Sequence, residues 1–365
     1  MKIPSSSPSS FAAVLIGLFV YTAILSVGNR PAEKYEQRLL SVSTRSSNGL
    51  LPFGYARKNL LPWSELPATN SSDGDTAIFW AIPRSGGTTV REFYQCARLS
   101  IAHKAGVESR FGHHNQTTLE RFEPAHTEVG QADIQLVNVD TTTVEGIDRA
   151  RDLGLVPSGL ANLISTDKLK YAVIELFDEA HRGRAIALFR HPVERLVSQF
   201  WYLKQATWEP GYRPNWAELD VEFWAWKVNV ERNYAVKRLA GKGMADDATE
   251  RDLRIAMRTL EEYFVVGLTE RMDESLSRFN AVLRIDENNP TTKICKKHFF
   301  FDSVGVRKTN SVAHPVLNEM SQGWIALHDT NQLDVRLYYH AVRIFEEQAD
   351  LPMYLRAAES MDWSQ

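Results

Sequence analysis

The sequence predicts an α/β fold: a central parallel sheet flanked by helices and preceded by an N-terminal transmembrane helix. Three observations predict it. From residue 76 onward, short apolar runs alternate with stretches of helical periodicity, as buried parallel strands and their covering helices require. A glycine pair, Gly86 and Gly87, stands between the first apolar run and the first helical stretch. Ahead of both, residues 11–27 (FAAVLIGLFVYTAILSV) carry no charge.

That uncharged run comes first in chain order. As a helix it extends about 25 Å, nearly the depth of a hydrocarbon core. Residues 1–10 then read as a short cytoplasmic tail and 11–28 as a signal-anchor. A cleaved signal peptide is the alternative, with Ser26 and Gly28 as small residues near a cleavage point. The length of the run favours the anchor. Lys2 precedes it, and Arg30, Lys34 and Arg38 follow, mixed with Glu33 and Glu36, so the positive-inside rule is close to silent. Residues 29–75 are rich in Ser, Asn, Pro and Gly with no long apolar period, and read as a stem. The sequons Asn70-Ser71-Ser72 and Asn115-Gln116-Thr117 are compatible with a glycoprotein facing a lumen.

The folded domain is expected over 76–365. Residues 76–82 (TAIFWAI) form a short apolar run closed by Pro83, a buried strand. Over 88–103, Val90, Phe93, Tyr94, Ala97 and Ile101 keep helical spacing. Residues 134–139 (IQLVNV) and 185–189 (AIALF) are the second and third strands. Pro192 suits the first turn of a helix whose Val193, Leu196, Val197, Phe200 and Leu203 share one face. Residues 263–266 read as a fourth strand, and 270–283 and 335–348 as amphipathic helices.

Bulk properties narrow the function. The 365 residues are 44% hydrophobic and 24% charged, ordinary for a globular protein. A net charge of −3 argues against a polyanion binder by bulk charge, and so against a nucleic-acid partner. Any anion site must be local. Cys96 and Cys295 are the only cysteines, too few for a disulfide scaffold or a zinc framework. They form one bridge in an oxidising compartment or stay as two unrelated thiols.

Two segments have the chemistry of a local anion site. The first is Pro83-Arg84-Ser85-Gly86-Gly87-Thr88-Thr89, between strand and helix. Gly86 and Gly87 let backbone N–H groups approach an anion, and the helix adds its positive end. Ser85, Thr88 and Thr89 carry hydroxyls, and Arg84 a charged fork. The fold thus carries a phosphate-binding loop. A turn that needs glycine for sterics alone is the alternative. Gly87 stands where a Walker A loop has lysine, which disfavours a nucleotide-dependent kinase. The second segment is Arg190-His191-Pro192-Val193-Glu194-Arg195-Leu196-Val197-Ser198. Arg190 ends a strand, where open parallel sheets place ligands. Ser198 lies about 9 Å along the helix from Pro192. Ordinary surface ion pairs of Arg190 and Arg195, for instance with Glu194, are the alternative.

Together the two segments resemble the donor-binding motifs of sulfotransferases. The first resembles the 5′-phosphosulfate loop, Pro-Lys-x-Gly-x-Thr-x. The second resembles the 3′-phosphate motif, an arginine followed eight residues later by serine. The stretch 190–203 (RHPVERLVSQFWYL) is similar to Golgi carbohydrate sulfotransferases of the heparan sulfate 2-O-sulfotransferase type. Weaker likenesses follow in order: Asn233-Tyr234, a strand-turn-helix over 265–279, an Asn-containing loop over 308–315, and a closing helix over 337–348.

The resemblance implies a sulfotransferase domain over 76–365. Its donor is 3′-phosphoadenosine 5′-phosphosulfate, held by residues 84–89 and by Arg190 with Ser198, with no metal. It implies a glycan or proteoglycan acceptor and a type II Golgi membrane protein with its catalytic domain in the lumen. Arg84 stands where the family has lysine, and His191 where it has aspartate. Arg84 keeps the positive charge but cannot donate a proton near neutrality. A member that binds glycans without transferring sulfate is therefore a rival reading. For the acceptor's proton, relatives use histidine or glutamate just past the strand between the two motifs. Asp140 holds the corresponding place, and a turn-capping aspartate is its alternative. His114 and His126 are further candidates. The aromatic set Trp201, Tyr202, Trp208, Tyr212, Trp216, Phe223, Trp224 and Trp226 is expected mainly in the core, with one or two rings on a sugar.

Overall fold

The computed structural model describes residues 56–68, 76–104, 117–123, 135–209, 211–227, 231–300, 315–353 and 355. The anchor segment 11–28, the sequon asparagines Asn70 and Asn115, His114, His126 and residues 308–314 lie outside them. Among the described residues no helix is long and apolar enough to cross a membrane.

The strands are β1 Ala77–Trp80, β2 Ile101–His103, β3 Arg121–Phe122, β4 Leu136–Asp140, β5 Leu163–Thr166, β6 Arg184–Phe189 and β7 Phe264–Leu268. They form one seven-stranded sheet in the order β3-β4-β2-β5-β1-β6-β7. All pairings are parallel except that of the edge strand β3 with β4. The helices that concern the site are α1 Gly87–Cys96, α2 Val144–Asp152, α3 Leu169–Leu176, α4 Pro192–Leu203, α5 Val221–Lys227 and α6 Tyr234–Ala240. They continue as α7 Glu250–Tyr263, α8 Met272–Val282, α9 Pro290–Phe300, α10 Gln322–Thr330 and α11 Gln332–Glu347. The central strands β1, β5, β6 and β7 are buried at every residue, as a parallel sheet covered on both faces demands.

Two expectations change, one strand joins the sheet without a sequence signal, and one open alternative closes. The helix begun at residue 87 stops at Cys96, because Arg98 turns into the left-handed region (φ 65°) and breaks the helical path. Ile101 therefore belongs to β2, not to that helix. Strand β5, directly beside β1, has no apolar signature: half of its LIST sequence is the buried hydroxyl pair Ser165 and Thr166. Residues 58–66, expected in the stem, pack on the domain: Leu60, Leu61 and Leu66 are buried, and Leu60 bridges to Gly183. Finally, Cys96 and Cys295 form a disulfide that ties the end of α1 to α9. The strand-turn-helix expected over 265–279 is present as β7, a short 3-10 turn Thr269–Arg271 and α8.

Candidate functional site

Parallel pairing brings the exits of β1, β6 and β7 to one edge of the sheet, and three loops meet there. The first follows β1. Arg84 (φ 64°) and Gly86 (φ 89°) both lie in the left-handed region, which bends the strand's exit into the start of α1. At Gly86 a Cβ would stand 2.9 Å from Met272 Cε and 3.1 Å from Leu188 Cδ2. Arg84 holds the same region with a full side chain, at a cost of about 1–2 kcal/mol. Its guanidinium lies 4.3 Å from the Tyr202 ring centroid. Its Nε and Nη2 both donate to Ser198 Oγ at 3.3 Å. Burial pulls Arg84 below the ordinary arginine range, and the neighbouring Arg190 cation pushes the same way.

The second loop follows β6. Arg190 Nη1 donates to the Arg84 carbonyl at 3.4 Å, and its Nε to Glu194 Oε2 at 3.4 Å. The third follows β7. The Thr269 hydroxyl lies 2.9 Å from Ser85 O and 3.0 Å from Phe189 O, so one donor is shared by the first two loops. The structure thus brings together Arg84, Arg190 and Ser198. Arg195 departs from the surface-pair expectation: it is buried, 3% exposed, and pairs with Glu231 rather than Glu194.

Ser85 is 1% exposed, and its hydroxyl has no hydrogen-bond partner among the described residues. Gly87, Thr88 and Thr89 open α1 and are partly buried. The first N–H groups of a helix have no partner within it, so this turn offers donors beside a positive helix end. Thr88 Oγ1 accepts from Arg91 Nη2 at 3.3 Å. Arg91 is pulled down to about 10 by burial.

Asp140 does not join them. It ends β4, and β2 and β5 stand between β4 and β1. Three strand spacings amount to about 14 Å. Its Oδ1 accepts from Thr142 N at 2.8 Å and from Thr142 Oγ1 at 2.6 Å, so its carboxylate caps its own turn. Asn233 is likewise structural. Its Oδ1 accepts from the N–H groups of Leu333 and Asp334 at 3.1 Å, while Asp334 accepts from those of Ala235 and Val236. Each of α6 and α11 is thereby capped from the other's start. Burial pushes Asp334 up to about 6.

The aromatic set divides. Trp224 is buried in the cluster with Phe200, Val193 and Leu196, and Trp201 and Trp216 border it. Trp208 is 72% exposed and lies 6.5 Å, centroid to centroid, from Tyr202. His191 stacks on Trp324 at 6.2 Å and makes an edge contact with Tyr338. Burial lowers its pKa.

Sequence reasoning missed the roles of Tyr202, Thr269 and Arg91. Ser198 and Tyr202 are four apart on α4, hence on one face, and that spacing was the available signal for the Arg84 stack. Thr269 is 184 residues from Ser85 and gave none. Among the described residues no group of three or more His, Cys, Asp or Glu gathers as a metal site. No protein-family model matches the chain, and no curated protein sequence matches it.

Proposed function

We propose that the protein transfers a sulfuryl group from 3′-phosphoadenosine 5′-phosphosulfate to a hydroxyl of a carbohydrate. One observation carries the reading: the Arg84 fork closes on Ser198 while Arg190 closes on the Arg84 backbone. Two segments more than a hundred residues apart thus meet in one cationic cluster at the carboxyl ends of β1 and β6. In this reading residues 84–89 are a phosphate-binding loop for the 5′-phosphosulfate, and Arg190 with Ser198 holds the 3′-phosphate. The orphaned Ser85 hydroxyl and the open start of α1 fit an anion there.

The chemistry needs little more. The acceptor oxygen bonds to sulfur as the bond from sulfur to the 5′-phosphate oxygen breaks. The products are a sulfate ester and 3′-phosphoadenosine 5′-phosphate. Negative charge grows on the leaving phosphate, where fixed N–H groups and Arg84 lower its energy. Arg84 stays charged throughout and stabilises without donating a proton.

A sugar acceptor, as glycan or proteoglycan, is supported by Trp208, an exposed ring next to the Tyr202 that stacks on Arg84. A Golgi lumen location, with residues 11–28 as the anchor, is supported by the Cys96–Cys295 bridge, which suits an oxidising compartment.

Calorimetry with 3′-phosphoadenosine 5′-phosphate tests the site. Arg84→Ala and Arg190→Ala should each weaken binding by about 10- to 100-fold, the size of a lost charged hydrogen bond. Unchanged affinity in both would refute the assignment. The placement of Asp140, three strands from β1, favours a second reading, a protein that binds glycans without transferring sulfate. Labelled sulfate appearing in a polysaccharide or glycoprotein extract excludes it.

A further inference from the structure

A cavity lies at the opposite end of the sheet from the glycine loop. It measures about 450 Å³ and is bounded by the starts of β1, β5 and β6 and by the ends of α1 and α8. Arg98, Arg184 and Arg284 line it, and among the described residues no Asp or Glu does. Arg184 opens β6, and Arg190 follows that strand's last residue. The six residue steps between them amount to about 20 Å of extended chain.

Two of these arginines stand where a chain normally has glycine. At the end of α1, Leu99 N donates to Tyr94 O at 2.9 Å and Arg98 N to Gln95 O at 3.0 Å. The end of α8 repeats the pattern: Ile285 N donates to Asn280 O at 2.8 Å and Arg284 N to Ala281 O at 3.2 Å. The left-handed position in this helix stop is usually glycine, and α2 follows the rule with Gly154 (φ 71°). Arg98 (φ 65°) and Arg284 (φ 54°) hold it with full side chains, at a steric cost. The negative end of each helix offsets part of that cost, but a cation in the last turn would gain as much without the strain. Arg184 comes from a strand and not a helix end. It is 6% exposed, and its Nη1 donates to Val282 O at 3.1 Å, which fixes the guanidinium against the last turn of α8. Arg121 adds a fourth cation at the rim, where its Nη2 donates to the carbonyl of the lining residue Gly159 at 3.1 Å. Glu287, the acid next along the chain from Asp286, accepts from Asn280 Nδ2 at 3.1 Å and pairs with Lys296 at 3.7 Å.

We propose that this cavity binds a small phosphate or sulfate ester with a hydroxyl-bearing, non-aromatic body, of the sugar-ester class. Guanidinium forks match the oxygens of a tetrahedral anion. A bare ion would fill only part of the space, whose volume falls within the range of about 300–1,000 Å³ typical of small-ligand sites. Asn162 Oδ1 accepts from Ser100 N at 2.9 Å, so its amide N–H groups are what it offers a ligand hydroxyl. Leu99, Val282 and Ile285 supply apolar wall for the carbon frame. No aromatic ring lines the cavity among the described residues, so a nucleobase finds no platform to stack on. This site is separate from residues 84–89 and does not rest on the sulfuryl-transfer reading.

Calorimetry on the whole protein tests this with glucose 6-phosphate, glucose 6-sulfate, glucose and inorganic phosphate as probes. At least one ester should bind about tenfold or more tighter than glucose and than inorganic phosphate, and the better ester identifies the oxyanion. Replacing both left-handed arginines, Arg98→Gly with Arg284→Gly, removes two cations yet suits both helix stops, so melting should stay within a few degrees of wild type. Ester affinity should fall by about tenfold or more, while affinity for 3′-phosphoadenosine 5′-phosphate stays within about threefold. Each single variant should lose about threefold, which keeps the test open if the double variant does not fold. Ester affinity that the glycine variants leave unchanged overturns the proposal. So do esters that bind no better than glucose or inorganic phosphate, or an ester that saturating nucleotide displaces from the wild type. A wild type that fails to bind the nucleotide removes the transfer reading, and this site is then judged on the glycine variants alone.

Discussion

Gly86 and Gly87 sit side by side in the loop, yet they do different work. Gly86 needs its glycine twice over, for a left-handed φ of 89° and for the closeness of Met272 and Leu188. At Gly87 an added Cβ would meet its nearest atoms at 3.5 Å, ordinary contact distance. Gly86→Ala should lower unfolding stability by about 1–3 kcal/mol. Gly87→Ala should stay within about 1 kcal/mol of wild type, because alanine is the better helix former. Urea titrations of the two variants check this, and equal losses would show that the loop needs both glycines for its shape. Arg84, two residues earlier, shares the left-handed conformation without the glycine. Tyr202 beneath its plane and Ser198 across its fork hold it there, and a lysine offers neither plane nor fork. Residue type and spacing alone single out Arg84, Arg190 and Ser198, and the structure brings the three together. Asp140 stands just past the strand expected at 134–139, but β2 and β5, neither with a long apolar run, separate that strand from β1.

Elements were legible wherever their apolar period was clean. In α4, Val193, Leu196, Val197, Phe200 and Leu203 are all buried, as their shared face requires. Short polar strands hid: β5 buries Ser165 and Thr166, whose hydroxyls cut short the apolar run that marks a buried strand. The Thr166 hydroxyl accepts from Lys168 N at 2.9 Å, so polarity there serves the turn into α3. The end of α1 was equally hidden, since Ile101 continues the helical spacing by coincidence. The bridge from Cys96 to Cys295, 199 residues apart, fixes that helix's end in space. Both halves lie behind the loop, so the bridge holds α1 against α9 while the start of α1 stays open. Closing so long a loop restricts the unfolded chain strongly. Replacing both cysteines by serine should cost about 2–5 kcal/mol in chemical denaturation. Nucleotide affinity should change little, since the bridge is at the opposite end of α1 from Gly87. A loss of affinity in protein that remains folded would mean the bridge sets the loop's geometry as well.

At the scale of the whole domain, the site depends on strand order. Connections from β1 run to one side of the sheet and those from β6 to the other, so the exits of β1 and β6 face each other across a crevice. That arrangement leans on a segment the composition had assigned to the stem. Asn59 Nδ2 donates to Val173 O at 2.8 Å, Leu61 N to Gly183 O at 3.0 Å, and Trp63 Nε1 to Glu261 O at 2.8 Å. These bonds join the segment to α3, to the approach of β6 and to α7. Leu60, Leu61 and Leu66 are 0%, 1% and 5% exposed. At about 2 kcal/mol each, their burial is worth about 6 kcal/mol, comparable with the whole margin of a typical domain. A chain shortened to begin at residue 76 should therefore lose its cooperative melting transition, whereas one beginning at 56 should keep it. Leu60→Ala and Leu61→Ala in the full chain provide the gentler version, each lowering stability by about 2–5 kcal/mol. If the chain from 76 melts within a few degrees of the longer one, residues 58–66 are a passive cover. The cleft between β1 and β6 would then be built entirely by the chain from residue 76 onward.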